Sequence, residues 1–227
     1  KHDRMYEALG YRVKDLRQFY CINSLKSLKI IKSSSNYSHP KAKKTGTQWQ
    51  KLGKKELLNI DRYQLDFSSN YKSGIYLINR YLNNPFYNYS IYRVIGNNEQ
   101  NLAIFVTRVD THKGTKVFRI VDFVGDEKLL GKAGYGLEHI LKETKSEYCD
   151  FWSYGINEKY INEMGLKPVN FNDKEIIIPS YFEPFESRNI NLKFAYRFKE
   201  KEKEKTKFVV CKGDGDQDRP NKVKVKC

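Results

Sequence analysis

A chain of 227 residues, 39 % of them apolar, has material for one large domain with a real core, which excludes a disordered tail. Its longest apolar run, Leu102–Val106, is far shorter than the about 20 residues of a membrane-crossing helix, and no signal-peptide pattern opens the chain. The net charge of +15 predicts polyanionic partners such as nucleic acid, anionic lipid or a phosphorylated ligand, although the lysines are spread out and no RNP-type pattern occurs.

Residues 1–9 have helical content, with Met5 and Leu9 one turn apart and Gly10 placed to end the helix. Lys1 falls inside that pattern, so a fragment of a longer protein is expected. Tyr11–Asn23 reads as a strand through Val13, Phe19, Tyr20 and Ile22, and Ser24–Ile31 as a second short one. Ser33–Thr47 is rich in Ser, Lys and Gly and reads as a linker. A second unit opens near Trp49. Glu56–Tyr63 is a predicted helix, and Ile75, Ile78 and Leu82 share one face of another, stopped by Asn83-Asn84-Pro85. Ser90–Ile95, Asn101–Arg108 and Val117–Phe123 read as strands separated by Gly96-Asn97-Asn98 and Thr111-His112-Lys113-Gly114. Lys128–Glu143 carries a helical stripe of Leu130, Ala133, Leu137, Ile140 and Leu141. A strand (Tyr148–Tyr154), a short helix (Glu158–Met164), a strand (Glu175–Ile178) and a hairpin of Asn191–Phe198 with Thr206–Cys211 follow. The order from Trp49 is ααβββαβαβββ, an α/β chain of α+β layout.

Met5–Val13 parallels Tyr160–Pro168: each reads as helix, glycine cap, strand. The repeat divides the chain into a C-terminal remnant of a first unit (1–32), a linker (33–48) and the main domain (49–227). The four cysteines are scattered without CxxC or Cys/His spacing, so reduced thiols in the cytoplasm are expected and structural zinc is not.

Several polar residues stand out. Asp122 and Asp150 lie inside apolar strands, where a carboxylate is costly unless paired, so each is either catalytic or structural. His139, beside Ile140 on the helix, reads as a surface or packing residue. Tyr181-Phe182-Glu183-Pro184-Phe185 is an aromatic loop that serves as a sugar-stacking wall or as an apolar plug. After Phe208–Cys211, the run Lys212-Gly213-Asp214-Gly215-Asp216-Gln217-Asp218-Arg219-Pro220-Asn221 sets three carboxylates and an arginine among bend-forming residues. Its opening has the spacing of a calcium loop. Arg219 and Val225 stand where that loop needs glycine and glutamate, so no metal is expected.

The element order resembles the GNAT (Gcn5-related N-acetyltransferase) fold, and the tandem arrangement resembles the Fem-type peptidyltransferases. Arg119–Phe123, Glu147–Phe151, Tyr154–Ile156, Ile178–Phe185, Asn189 and Gly213–Asn221 look similar to GNAT-like proteins of bacterial surface-polysaccharide synthesis. That resemblance implies acyl transfer from acyl-CoA, or another activated donor, to an amino group of a sugar or sugar nucleotide. Under it Asp122 and Asp150 become candidate bases and Tyr154 a candidate donor to the leaving thiolate. Tyr181, Phe182, Asn189, Asp214, Asp216, Asp218 and Arg219 become the acceptor site. The family's phosphate-holding loop finds its nearest match in Gly131-Lys132-Ala133-Gly134-Tyr135-Gly136, where Gly131, Lys132, Gly134 and Gly136 would meet the cofactor. The leading Arg/Gln position holds Gly131 and the match overlaps the helical stripe, so the segment reads as a cradle or as a glycine-weakened helix. Two alternatives stay open: a Fem-like transferase using aminoacyl-tRNA, in which the positive charge serves RNA, and a non-catalytic binding module on the same fold.

Overall fold

The structure, a computed structural model, describes residues 2–25, 27–32, 47–60, 72–95, 102–198, 208–215 and 218. Helix α1 (His2–Ala8) is followed by Gly10 at a φ of +79°, a left-handed turn open to glycine, which feeds strand β1 (Arg12–Ile22). Strand β2 (Gln50–Leu52), absent from the sequence reading, precedes helix α2 (Lys54–Leu58). Helix α3 (Gly74–Leu77) runs on into a π-turn, Ile78–Leu82. Strands β3 (Tyr89–Ile95), β4 (Leu102–His112) and β5 (Thr115–Gly125) come next, then helix α4 (Leu130–Thr144), strand β6 (Ser146–Tyr154), helix α5 (Glu158–Glu163), and strands β7 (Lys167–Pro168), β8 (Leu192–Tyr196) and β9 (Val210–Cys211). Residues 33–46 of the predicted linker (33–48) and the Gly96-Asn97-Asn98 turn lie outside the described residues.

The strands form one mixed sheet in the order β2-β3-β4-β5-β6-β1-β7, with β8 paired to β1 and β9 to β6. Every pairing is antiparallel except β5 with β6. The chain is therefore α/β with an α+β layout. On one face Phe105, Phe118, Ile120, Phe123 and Phe151 pack under the α4 stripe of Leu130, Ala133, Leu137, Ile140 and Leu141. On the other, Ile91, Ile104, Val106, Val121 and Val124 lie under Leu57 of α2 and Leu77, Ile78 and Tyr81 of the α3 segment.

Two irregularities position the site. Val106 opposes Asp122 while Thr107 opposes Ile120, so Val121 is an extra residue in β5. Such a bulge sets two residues against one; here Val121 and Asp122 both meet Tyr81 or its neighbours on the α3 side. Secondly, β5 and β6 pair only as far as Ile120 and Phe151. Beyond that point β9 takes the edge of β6 at Ser153 and Tyr154, and the turn Lys212–Asp214 packs against β5 and β6. A Cβ on Gly155, whose φ is +86°, would meet the Phe208 carbonyl oxygen at 2.0 Å, so the last segment lies tightly in this crevice.

Several expectations are corrected. Residues 1–32 are not a separate remnant: β1 is an inner strand, antiparallel to both β6 and β7 of the predicted main domain. Both members of the repeat lead into this same sheet. The described residues of Ser24–Ile31 contain no strand. Its backbone N–H groups at Lys29, Ile30 and Ile31 donate to the buried Glu147 carboxylate, which holds a loop in place of a ladder. Glu175–Ile178 reduces to a bridge between Ile177 and Lys32. The last two strands are not a hairpin among the described residues, since β8 joins β1 and β9 joins β6. Ile75 is 61 % exposed, because the wide π-turn gives the buried face to Leu77, Ile78 and Tyr81.

Candidate functional site

Charged residues placed on inward faces of strands must find partners or carry a large desolvation cost. Two such groups meet beside β9. In the first, Lys72 Nζ lies 2.5 Å from Asp122 Oδ1 and 2.7 Å from Asp214 Oδ1. The Tyr81 hydroxyl donates to Asp122 Oδ2 at 2.6 Å, and the Cys211 backbone N–H donates to Asp214 Oδ2 at 2.8 Å. Burial pulls the Lys72 pKa down, but Asp122, Cys211 and Asp214 push it further up, so the ammonium stays charged. Burial, with Asp122 next, raises Tyr81 and the Cys211 thiol, and both keep their protons. Burial and the Asp122 charge raise Asp214. Asp122, Cys211 and Asp214 stand close enough to share a cation, and the Lys72 ammonium already occupies that position.

The second group floors an open cavity of about 100 Å3 lined by Tyr87, Arg108, Arg119, Tyr181, Phe182 and Lys212, among others. Arg108 and Arg119 sit directly opposite each other on β4 and β5. Like charges in that position repel, and Asp110 relieves them by approaching both, at 3.1 Å from Arg108 Nε and 3.2 Å from Arg119 Nη1. Arg119 also grips Asp150 of β6 with two donors, at 3.0 and 2.8 Å, and donates to the Ser180 carbonyl oxygen at 2.7 Å. Its guanidinium is fully committed. Asp150 further accepts from Trp152 Nε1 and Gln18 Nε2.

Arg108 is different. Its Nη2 reaches Asp110 and Asp218, both at 3.2 Å, and its guanidinium stacks 3.8 Å over the Tyr87 ring. Among the described residues Nη1 is buried without a hydrogen-bond partner; Nε forms only its ion pair with Asp110, and Asp218 Oδ1 likewise meets Arg108 as an ion pair without an aligned hydrogen bond. Asp218 is held from its other side by the Tyr89 hydroxyl at 2.6 Å. Lys212, at the end of the crevice segment, is 4 % exposed and donates to Ser180 Oγ at 3.2 Å. Burial first, and Arg119 second, push its pKa down to about 7.

These positions sort the predicted site residues. Asp122 and Asp214 belong to the Lys72 group, and Asp150 anchors Arg119. Tyr181 and Phe182 line the cavity, and Asp218 braces Arg108. Asp216 and Arg219 lie outside the described residues. Asn189 is a loop brace: its Oδ1 accepts from the Ile178 N–H, and its Nδ2 donates to the carbonyl oxygens of Asn170, Asp173 and Ile176. Tyr154 packs on Phe194 and Phe208, outside the cavity lining. The glycine segment forms no cradle, because Gly131, Lys132, Gly134 and Gly136 are inside α4. A Cβ on Gly131 would meet Glu163 Oε2 at 2.8 Å, and one on Gly136 would meet Trp49 Cδ1 at 2.3 Å. Those glycines let α5 and Trp49 pack on the helix. Ahead of α4, Asp126 caps its entrance by accepting from the Lys128 N–H. Lys72, Tyr87, Arg108, Ser180 and Lys212 were missed as site residues. The signal was present for Arg108, a charge on an otherwise apolar strand with Asp110 two residues on.

Comparison with protein-family models and with curated proteins gives no match for this chain.

Proposed function

We propose that this chain is a GNAT-like protein that recognises an amino sugar or sugar nucleotide in the cavity between β4, β5 and the 180–183 loop, and that sugar recognition is its principal function. The observation that carries the reading is the cavity itself. Tyr87, Tyr181 and Phe182 wall it, while Arg108 and Lys212 bring hydrogen-bond donors to one place. Aromatic walls with a few convergent polar groups suit a ring bearing polar substituents. The class of ligand comes from the resemblance to surface-polysaccharide proteins. The sequence of elements from α2 to β7 supports a GNAT-like layout.

The crevice outside the ends of parallel strands is where open α/β sheets take ligands. Here that crevice holds the chain's own Val209–Asp214, which favours a binding module over a transferase dependent on acyl-CoA. N-acyl transfer is the second reading. It is favoured by the β5 bulge, which takes one residue out of the ladder as an oxyanion donor requires.

Calorimetry with uridine diphosphate N-acetylglucosamine, glucosamine and acetyl-CoA, together with a thiol-release assay, separates the two. The first reading expects heat with a sugar ligand, none with acetyl-CoA and no thiol release. Sugar-dependent release of thiol from acetyl-CoA would replace it with the second.

A further inference from the structure

We infer that the cavity contains an oxyanion seat between Arg108 and Lys212, which holds a phosphate or carboxylate group of the sugar ligand, and that the anion enters together with one proton taken up by Lys212. This rests on the cavity being the ligand site.

Vacant hydrogen-bonding positions decide the ligand's chemistry. Arg108 has a relative exposure of 7 %, yet among the described residues its Nη1 has no hydrogen-bond partner and its Nε has only an ion pair with Asp110. A buried guanidinium nitrogen without a hydrogen bond is rare and suits an acceptor brought by a ligand. Lys212 Nζ has three donor positions when protonated, and Ser180 Oγ fills one. Both side chains line the same cavity. Asp218 Oδ1 also lacks a hydrogen bond, but the Arg108 guanidinium 3.2 Å away neutralises it, so the open donors of Arg108 and Lys212 ask for an acceptor and the ligand group is an oxyanion.

Charge decides the proton. Facing Lys212 are Arg108 and Asp110 of β4, Arg119 of β5, Asp150 of β6 and Asp218 from the last segment, with Tyr181 beside it and Glu183 at the mouth. Beneath the cavity two guanidiniums face three carboxylates. With the amine neutral, that floor is one negative charge in excess and repels an anion. Protonating Lys212 cancels the excess and creates the missing donors together. Burial sets the amine near half-protonation at neutral pH. Above that, the binding-competent fraction falls about tenfold per pH unit, and apparent affinity falls with it.

The test is calorimetry from pH 6 to 8.5 with three probes whose charge is essentially constant there: uridine diphosphate N-acetylglucosamine, N-acetylneuraminate and neutral N-acetylglucosamine. At pH 8.5, runs in buffers of differing ionisation enthalpy count the protons taken up. We expect at least one charged sugar to bind ten times tighter than the neutral one. Its affinity should fall about tenfold from pH 7.5 to 8.5, with uptake approaching one proton per ligand. The charged probe that shows this identifies the seat as one for phosphate or for carboxylate. Lys212→Met should bind more weakly and without the pH slope. The proton count on the unaltered protein stands even where that variant fails to fold. A charged ligand that binds with no pH dependence overturns the seat. So does a Lys212→Met protein that keeps the slope. Equal affinity for neutral and charged sugars overturns the seat and leaves sugar recognition intact. Absence of binding by all three probes overturns the cavity reading and the seat with it.

Discussion

At the scale of single residues, the glycines of α4 separate two accounts of one segment. Gly136 faces Trp49, whose indole donates to the Ala133 carbonyl oxygen at 2.8 Å and stacks on Phe105 at a centroid distance of 4.3 Å. Gly136→Val therefore displaces a core side chain, and a loss of about 1–3 kcal/mol is expected from urea denaturation. A cofactor cradle would have predicted an unchanged midpoint. Lys72 holds two carboxylates, so Lys72→Met leaves Asp122 buried against Asp214. A destabilisation of about 3–5 kcal/mol follows from an unpaired buried charge, read as the shift in denaturation midpoint. Lys212 behaves in the opposite way. Its folded pKa of about 7 lies below the unfolded lysine value. Between the two, the unfolded chain binds the proton that the folded chain refuses, so stability rises with pH through that window. Lys212→Met should thus be more stable than the parent at pH 6–7, with the gap closing towards pH 10 in parallel thermal melts. A constant gap would contradict the assignment. Sequence alone flagged Asp122 and Asp150 as charges in apolar strands and correctly left pairing open. It could not reveal Lys72, which sits in a polar stretch and becomes buried only through tertiary placement.

The elements were legible where one period dominates. The α4 stripe is buried as read, and Gly10 and Gly165 both adopt positive φ after short helices. Legibility failed where the backbone departs from a single period. The π-turn after α3 rotates its buried face, and the bulge at Val121 turns two successive residues to one side. Strand β9 is legible as the end of Thr206–Cys211, but its neighbour is not, since it pairs with β6 and not with β8. It is held by the fit of its segment against Gly155, whose φ of +86° no side chain readily shares. Gly155→Val combines backbone strain with a clash against the Phe208 carbonyl and should dislodge the segment through Asp214. Hydrogen exchange would then show faster exchange at Val210 and Cys211 than in the parent, while the β4–β5 ladder stays protected. Unchanged exchange at Val210 and Cys211 would show that the crevice tolerates a side chain there.

For the whole molecule, the decisive feature is that β1 lies between β6 and β7. Sequence patterns identify a strand but not its neighbours, which is why residues 1–32 read as a separate remnant. A fragment beginning at Trp49 lacks the strand that pairs six residues of β6. Circular dichroism should find it without cooperative unfolding, and a cooperative melt like the parent's would restore the domain boundary. The same weave brings β4, β5, β6, the 180–183 loop and the last segment to one cavity, which no local motif announces. The measurement that tests sugar recognition most directly is a crystal structure grown with a charged sugar. The ring is expected between Tyr181, Phe182 and Tyr87, its oxyanion on Arg108 and Lys212, and residues 209–214 still in the crevice. A ligand seated elsewhere, or acetyl-CoA displacing those residues from between β5 and β6, would contradict this reading.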